Sequence, residues 1–232
     1  MIVAGIHTSR SGSGGVPSKN VFPVCGKPLF RYGIDACIDS RHIQQTIIAS
    51  DIPDVISYAN REKLVAFPLS EELAGGNHYE TIRAAAEFAI RMQPVSVFAI
   101  VLGNAVGASG QTLDQAIESL MLNSDLDSVV SVSAFPMFNP LRAYVDRDGK
   151  LIPQVQPSAL RISGPLNERR SIETPWFFNG SFWIVRSEVL LSNCGLAPFP
   201  WLGIRLGAFH QRTLMELDEP WQANLLPYMV DE

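Results

Sequence analysis

The stretch IVAGIHTSRSGSGGVPSKNVFPVCGKPLFRYGIDACIDS, residues 2–40, decides the fold. Residues 2–6 are a short apolar run of the kind a buried strand requires, and a loop rich in Ser and Gly follows. Pro28 has the fixed φ that suits a first helical turn, and residues 29–40 then carry apolar side chains at helical spacing. The order is strand, loop, helix. Working outward, residues 46–50 read as a second buried strand, 54–63 as a short helix and 64–67 as a third strand. Residues 79–92 are Ala-rich and helical, 95–102 repeat the apolar strand pattern, 113–122 give a helix, and the β-branched run SVVSVSA at 128–134 another strand. Strands alternating with helices at this spacing predict an α/β fold, a mainly parallel sheet with helices on both faces.

The pattern changes from Phe135. Asp148-Gly149 is a hairpin signal between residues 141–145 and 151–155, and the chain up to Pro175 is rich in Pro, Ser and Arg. These residues predict an arm at about 136–176 inserted into a single domain, 1–232. Residues 178–185 and 204–209 read as strands returning to the sheet, and 220–228 as a closing helix with Pro220 in its first turn.

At 232 residues the chain can bury about 70% of its unfolded surface, and 47% hydrophobic against 18% charged residues gives it the apolar content to do so. The formal charge of -5 leaves no broad basic face for counterion release, so nucleic acid is not an expected partner. Cys25, Cys37 and Cys194 form no CxxC pair and are odd in number, which argues against a disulfide framework and a structural zinc site and for a reducing cytoplasm. The most apolar stretch, 95–108, is interrupted by Ser96, Gly103, Asn104 and Gly107 and is too short for a bilayer, and the amino terminus lacks the basic start of a signal peptide. Membrane attachment and export are not expected.

Parallel sheets bind ligands beyond the carboxyl ends of their strands, and the first loop lies at such an edge. Residues 9–20 combine glycines, which let a backbone approach an anion, with hydroxyls and the cations Arg10 and Lys19, a composition suited to a polyphosphate. A flexible surface loop with incidental charges would have the same composition, and neither a Walker motif nor a dinucleotide fingerprint is present.

The order of the residues adds more. Arg10, Gly12, Ser13, Gly15, Pro17, Lys19 and Asn20, followed by Gly26-Lys27-Pro28-Leu29, Tyr32, Ile34 and Ala36, match the amino-terminal signature of the sugar-acid (acylneuraminate) cytidylyltransferase family, which the chain resembles. Ser50-Asp51, VLGNAV at 101–106, DSVVSVS at 127–133, Asn179-Gly180 and LDEPWQ at 217–222 extend the resemblance along the chain. It implies a Rossmann-like fold that binds CTP over the first loop and a sugar acid beside it, releasing pyrophosphate as a CMP-sugar forms. It also implies nucleotide-binding roles for Arg10, Ser11, Gly12, Ser13, Gly14, Gly15, Lys19, Asn20, Lys27, Asn104 and Ala105. Arg10, Ser13 and Lys19 would contact the triphosphate, and Asn20 the cytosine edge. Arg10, Lys19 and Asp218 are the expected catalytic residues. Three departures stand out: Gly14 replaces a Lys, Val106 a Pro, and Glu216 the first Asp of an acidic pair.

In-line transfer needs cations to neutralise the departing pyrophosphate, and hard oxygen ligands suit Mg²⁺. Glu216 and Asp218, two apart on an extended segment, could face one ion; alternatively Asp218 caps the helix that follows. By the resemblance, Arg169 and Asn179 would bind the sugar acid, Arg169 through the planar fork that suits a carboxylate. His7 reads as a satisfied, partly buried histidine, and His78 could stand near the sugar. The rival readings are a binding relative with weak or lost catalysis and a nucleotidyltransferase acting on another sugar acceptor. The arm and the resemblance together predict a homodimer.

Overall fold

A computed structural model describes residues 1–12, 15–136, 138–156, 158, 165, 168 and 173–230. Seven strands form one sheet: β1 (Val3–Ser9), β4 (Ile43–Ser50), β5 (Val65–Pro68), β6 (Val97–Leu102), β7 (Ser128–Ala134), β10 (Trp176–Arg186) and β11 (Leu206–Gln211), in the order β11-β7-β10-β6-β1-β4-β5. All neighbours run parallel except β10, which is antiparallel to both β6 and β7. Two small ribbons lie outside it, β2 (Pro23–Val24) with β3 (Lys27–Pro28) and β8 (Tyr144–Arg147) with β9 (Lys150–Pro153).

Alternate side chains of the strands feed opposite layers, as the two-residue period requires. On one face Ala4, Ile6, Ile47 and Ile100 pack with Ile82, Ala85 and Ala89 of α4 (His78–Met92). On the other, Val3, Val97 and Ala99 meet α1 (Leu29–Asp39) and α5 (Gly110–Leu122), while Ile48 packs with α2 (Pro53–Arg61). Asn77 and Ser109 cap α4 and α5 with side-chain oxygens. The predicted α/β sheet with helices on both faces is what the chain forms.

The differences have local causes. Strand β1 runs three residues past Ile6 because His7, Thr8 and Ser9 are buried with side-chain partners of their own: His7 Nε2 with Ser9 Oγ at 2.7 Å and Thr8 Oγ1 with His78 Nε2 at 2.9 Å. Strand β11 starts at Leu206 because the amides of Ile204 and Arg205 donate to the Asp127 carboxylate instead of to a ladder. The closing helix expected at 220–228 is instead a pair of 3-10 turns, Pro220–Asn224 and Leu226–Met229, since Pro227 has no N–H for the carbonyl four residues back. Two short helices carried no clear sequence signal, α3 (Glu71–Gly75) and α6 (Ser187–Ser192).

Candidate active site

Strand β1 is followed in the sheet by β4 on one side and flanked by β6 on the other, so the strand order reverses between β1 and β6. A crevice opens at such a point, beyond the carboxyl ends of the two strands. A polar cleft lies there, with Thr8 and Arg10 from the end of β1, Leu102 and Asn104 from the end of β6, and Lys19 and Asn20 from the first loop. His78, at the start of α4, and the segment 216–218 close it.

That last segment is bound by the backbone as well as by side chains. Leu217 N donates to Asn104 O at 2.7 Å, and Ala105 bridges Glu216. The Asn104 amide donates to Glu216 Oε2 at 3.1 Å and to Asp218 Oδ1 at 3.2 Å. Lys19 Nζ donates to the same Asp218 oxygen at 2.5 Å. Burial, then the neighbouring Asp218, raises the pKa of the Glu216 carboxyl, while Asn104 and Lys19 pull it back down. Asp218 does not cap the following turn: Glu219 and Gln222 supply the reciprocal capping box. Gly15, at φ 91, brings the first loop against this segment; a Cβ there would lie 2.0 Å from the Asp218 carbonyl oxygen.

The other expected site residues are distributed unevenly. The Arg10 guanidinium lines the cleft while donating to the carbonyls of Gly76 (2.5 Å) and Ala74 (3.4 Å), so it ties the first loop to α3. Asn20 is buried, its amide donating to Arg10 O at 2.8 Å. Ser11 donates its backbone N–H (2.8 Å) and its hydroxyl to Asp51, and Gly12 is exposed beside it. Lys27 pairs with Asp35 at 2.6 Å and stands over the Tyr32 ring, on the β2–β3 ribbon. Asn179 is fully spent inside the protein: Oδ1 accepts from Ser131 Oγ and Ser181 N, and Nδ2 donates to Ser133 Oγ and Gln211 Oε1. Ser13, Gly14 and Arg169 lie outside the described residues. His7 is fully buried and half satisfied: Nε2 meets Ser9 Oγ while Nδ1 has no partner among the described residues, and burial lowers its pKa to about 3.

A second cavity, about 480 Å³, adjoins the first and shares His78, Leu102 and Glu216 with it. Its wall is aromatic: Trp176, Phe177 and Phe178 at the start of β10, Trp183 farther along, and Phe199. The Phe178 and Phe199 rings stack 5.3 Å apart, and Trp183 lies 5.7 Å from Phe199. Sequence reading missed Thr8 and this wall. The available signal was the cluster WFF at 176–178 directly after the arm, which returns the chain to the sheet at the same edge.

Residues 4–101 match the family described as cytidylyltransferase. No curated protein matches the chain. Among solved structures it is similar to CMP:2-keto-3-deoxy-manno-octonic acid synthetase complexed with CTP, at 12% identity and TM-score 0.68, over 99% of this chain and 98% of that one. It is also similar to 4-diphosphocytidyl-2C-methyl-D-erythritol synthase from Anaerococcus prevotii (10%, TM-score 0.66, 98% and 95% covered) and to HddC from Yersinia pseudotuberculosis (15%, TM-score 0.58, 99% of both). At these identities the likeness is one of fold. The stretch 4–101 is thus similar to enzymes of the cytidylyltransferase kind.

Proposed function

We propose, with the cytidylyltransferase match over residues 4–101 as the premise, that the protein transfers CMP from CTP to the anomeric hydroxyl of a 2-keto-3-deoxy sugar acid of the neuraminate type. The observation that carries this reading is convergence: the first-loop residues Lys19 and Asn20, Asn104, and the pair Glu216 and Asp218 meet in one cleft beside a separate sugar-sized pocket. The acceptor oxygen bonds to the α-phosphorus, the bond from that phosphorus to its bridging oxygen breaks, and pyrophosphate leaves with the electron pair. The hydroxyl proton passes to water. Lys19 and Arg10 supply positive charge on the phosphate side of this displacement.

The donor set of Glu216 and Asp218 fits Mg²⁺, because two carboxylates leave most positions to water and phosphate oxygens, and the Lys19 ammonium already stands as a cation on Asp218. When bound, the ion would neutralise charge on the departing pyrophosphate. Asn104 orients both carboxylates toward one point. The homodimer expected from the arm belongs to the same reading.

One observation favours a second acceptor class. The described lining of the aromatic pocket contains no Arg or Lys, and its one carboxylate, Glu216, would repel an acid group placed against it. A neutral sugar or sugar phosphate with its anion directed at the first loop suits this wall. The deciding experiment is a pyrophosphate-release screen with CTP and Mg²⁺, run over sugar acids, neutral sugars and sugar phosphates. Turnover with sugar acids is the expected result. Turnover confined to sugar phosphates would move the protein to the second class, and none with any acceptor would leave a binding protein.

A further inference from the structure

We propose that His78 contacts the acceptor and determines specificity by holding the attacking hydroxyl where the aromatic pocket meets the polar cleft. The assignment rests on the nucleotidyl-transfer reading. The two cavities share three residues, His78, Leu102 and Glu216, so an acceptor seated in one and reacting in the other passes between them. Leu102 has no side-chain hydrogen-bonding atom. Glu216 already accepts from Asn104 and carries the negative charge that the acidic pair needs. His78 is the neutral hydrogen-bonding side chain left at the junction.

Its placement is fixed from both ends. It is the first residue of α4, directly after the Asn77 cap whose box with Glu80 sets the backbone. The ring is held by Thr8 at the carboxyl end of β1, 2.9 Å from Nε2, and by the Trp183 ring, 5.9 Å away between centroids. Among the described residues Nδ1 has no hydrogen-bond partner of its own. A neutral imidazole has one donor and one acceptor nitrogen, and the Thr8 hydroxyl can serve either, so the pair can present Nδ1 to an incoming hydroxyl in either sense.

Burial, reinforced by nearby positive charge, explains why the ring orients the hydroxyl and does not take its proton. Burial lowers the His78 pKa most, with Arg10 and Lys19 lowering it further, to about 4. A base that weak does not retain a sugar hydroxyl proton. It remains uncharged throughout the neutral range, however, and adds no repulsion to Arg10 and Lys19 across the cleft.

The test separates acceptor from nucleotide. In His78→Phe the ring is kept against Trp183 and the hydrogen bond is lost. With CTP, Mg²⁺, N-acetylneuraminate and 3-deoxy-manno-octulosonate as probes, the KM of whichever acceptor the wild type uses should rise about three- to tenfold, the worth of one neutral hydrogen bond. Calorimetric CTP affinity should stay within about twofold, and His78→Gln should recover part of the loss. If His78→Phe does not fold, Thr8→Val, which frees the ring, should raise acceptor KM in the same direction. An active wild type whose variants leave acceptor KM unchanged, or lose CTP affinity in parallel, would overturn the assignment alone. A wild type that releases no pyrophosphate from CTP with any acceptor would overturn the transfer reading and this assignment with it.

Discussion

Lys19 is the residue on which the cleft's charge balance turns. Its side chain is only 10% exposed, and its ammonium sits on Asp218 Oδ1, within the carboxylate pair proposed above to hold a divalent ion. On the proposed reading its charge already offsets that carboxylate, so Lys19 weakens the attraction of the acidic pair for a divalent ion, and a bound triphosphate would draw the ammonium away. Lys19→Gln should therefore bind Mn²⁺ more tightly than wild type when no nucleotide is present, by roughly tenfold as a modest share of the Coulomb term near ε of about 20. It should bind CTP more weakly, by about 1.5 to 3 kcal/mol for a lost charge-assisted bond. Titrating both proteins with Mn²⁺ and with CTP by calorimetry checks the opposed signs; equal Mn²⁺ affinities would show that Lys19 does not guard the carboxylates. The cleft residues Lys19, Asn20, Asn104, Glu216 and Asp218 were legible in the sequence because each sits at a strand end or in a loop of recognisable order. Lys27 matches its motif equally well, yet its partner is Asp35 two turns along α1, and no pattern of spacing reveals which carboxylate captures a lysine. Asn179 shows a related limit of sequence: nothing in the spacing reveals that its amide makes four internal bonds, to Ser131, Ser133, Ser181 and Gln211.

At the scale of elements, β10 does the most to shape the site. Its pairing with β7 is irregular between Phe178 and Trp183, and Gly180 inside that break has φ 73. A Cβ at Gly180 would lie 2.8 Å from Glu216 Cδ and 3.0 Å from Oε2. Gly180→Ala should thus carry the left-handed penalty of about 1–2 kcal/mol, and in a chain of this length lower Tm by a few degrees. Because the methyl group pushes the carboxylate itself, turnover should fall by far more than the fraction unfolded accounts for. Melting curves and steady-state rates on one preparation test this, and a Tm loss with normal kcat would detach Gly180 from the working of the Glu216 segment. The strands and long helices were readable from periodicity, since buried parallel strands are continuous apolar runs. The closing turns were not, because Pro220 signals a helix start while Pro227 forbids its continuation. The offset of β11 depends on Asp127, which is remote in sequence from Ile204 and Arg205.

The molecule as a whole keeps two neutral histidines in its interior, and this sets how it responds to acid. His7 titrates near 3 and His78 near 4, both below the ordinary value of about 6.5, so the unfolded chain binds protons that the folded one refuses. Their contribution to stability is complete above pH 6.5 and is lost as pH falls from there toward 3. Tm should drop across that window, and His7→Gln, which cannot titrate, should drop less steeply. Parallel slopes for the two proteins would show that His7 is not responsible. Among the described residues no helix is long and apolar enough to cross a membrane. The α/β architecture was legible almost entirely, while the second cavity was not, because its wall is assembled from β10 and the distant Phe199. The antiparallel run of β10 beside β7 has one more effect. Ala134, the last residue of β7, pairs with Trp176, the first of β10, so everything between them is a single excursion that departs from and lands on adjoining strands. Lengthening such an excursion is entropically cheap, about 0.6 kcal/mol per doubling. The chain between Ala134 and Trp176 therefore leaves and rejoins the sheet within one strand pair, so a change in its length can be absorbed without altering the register of the sheet.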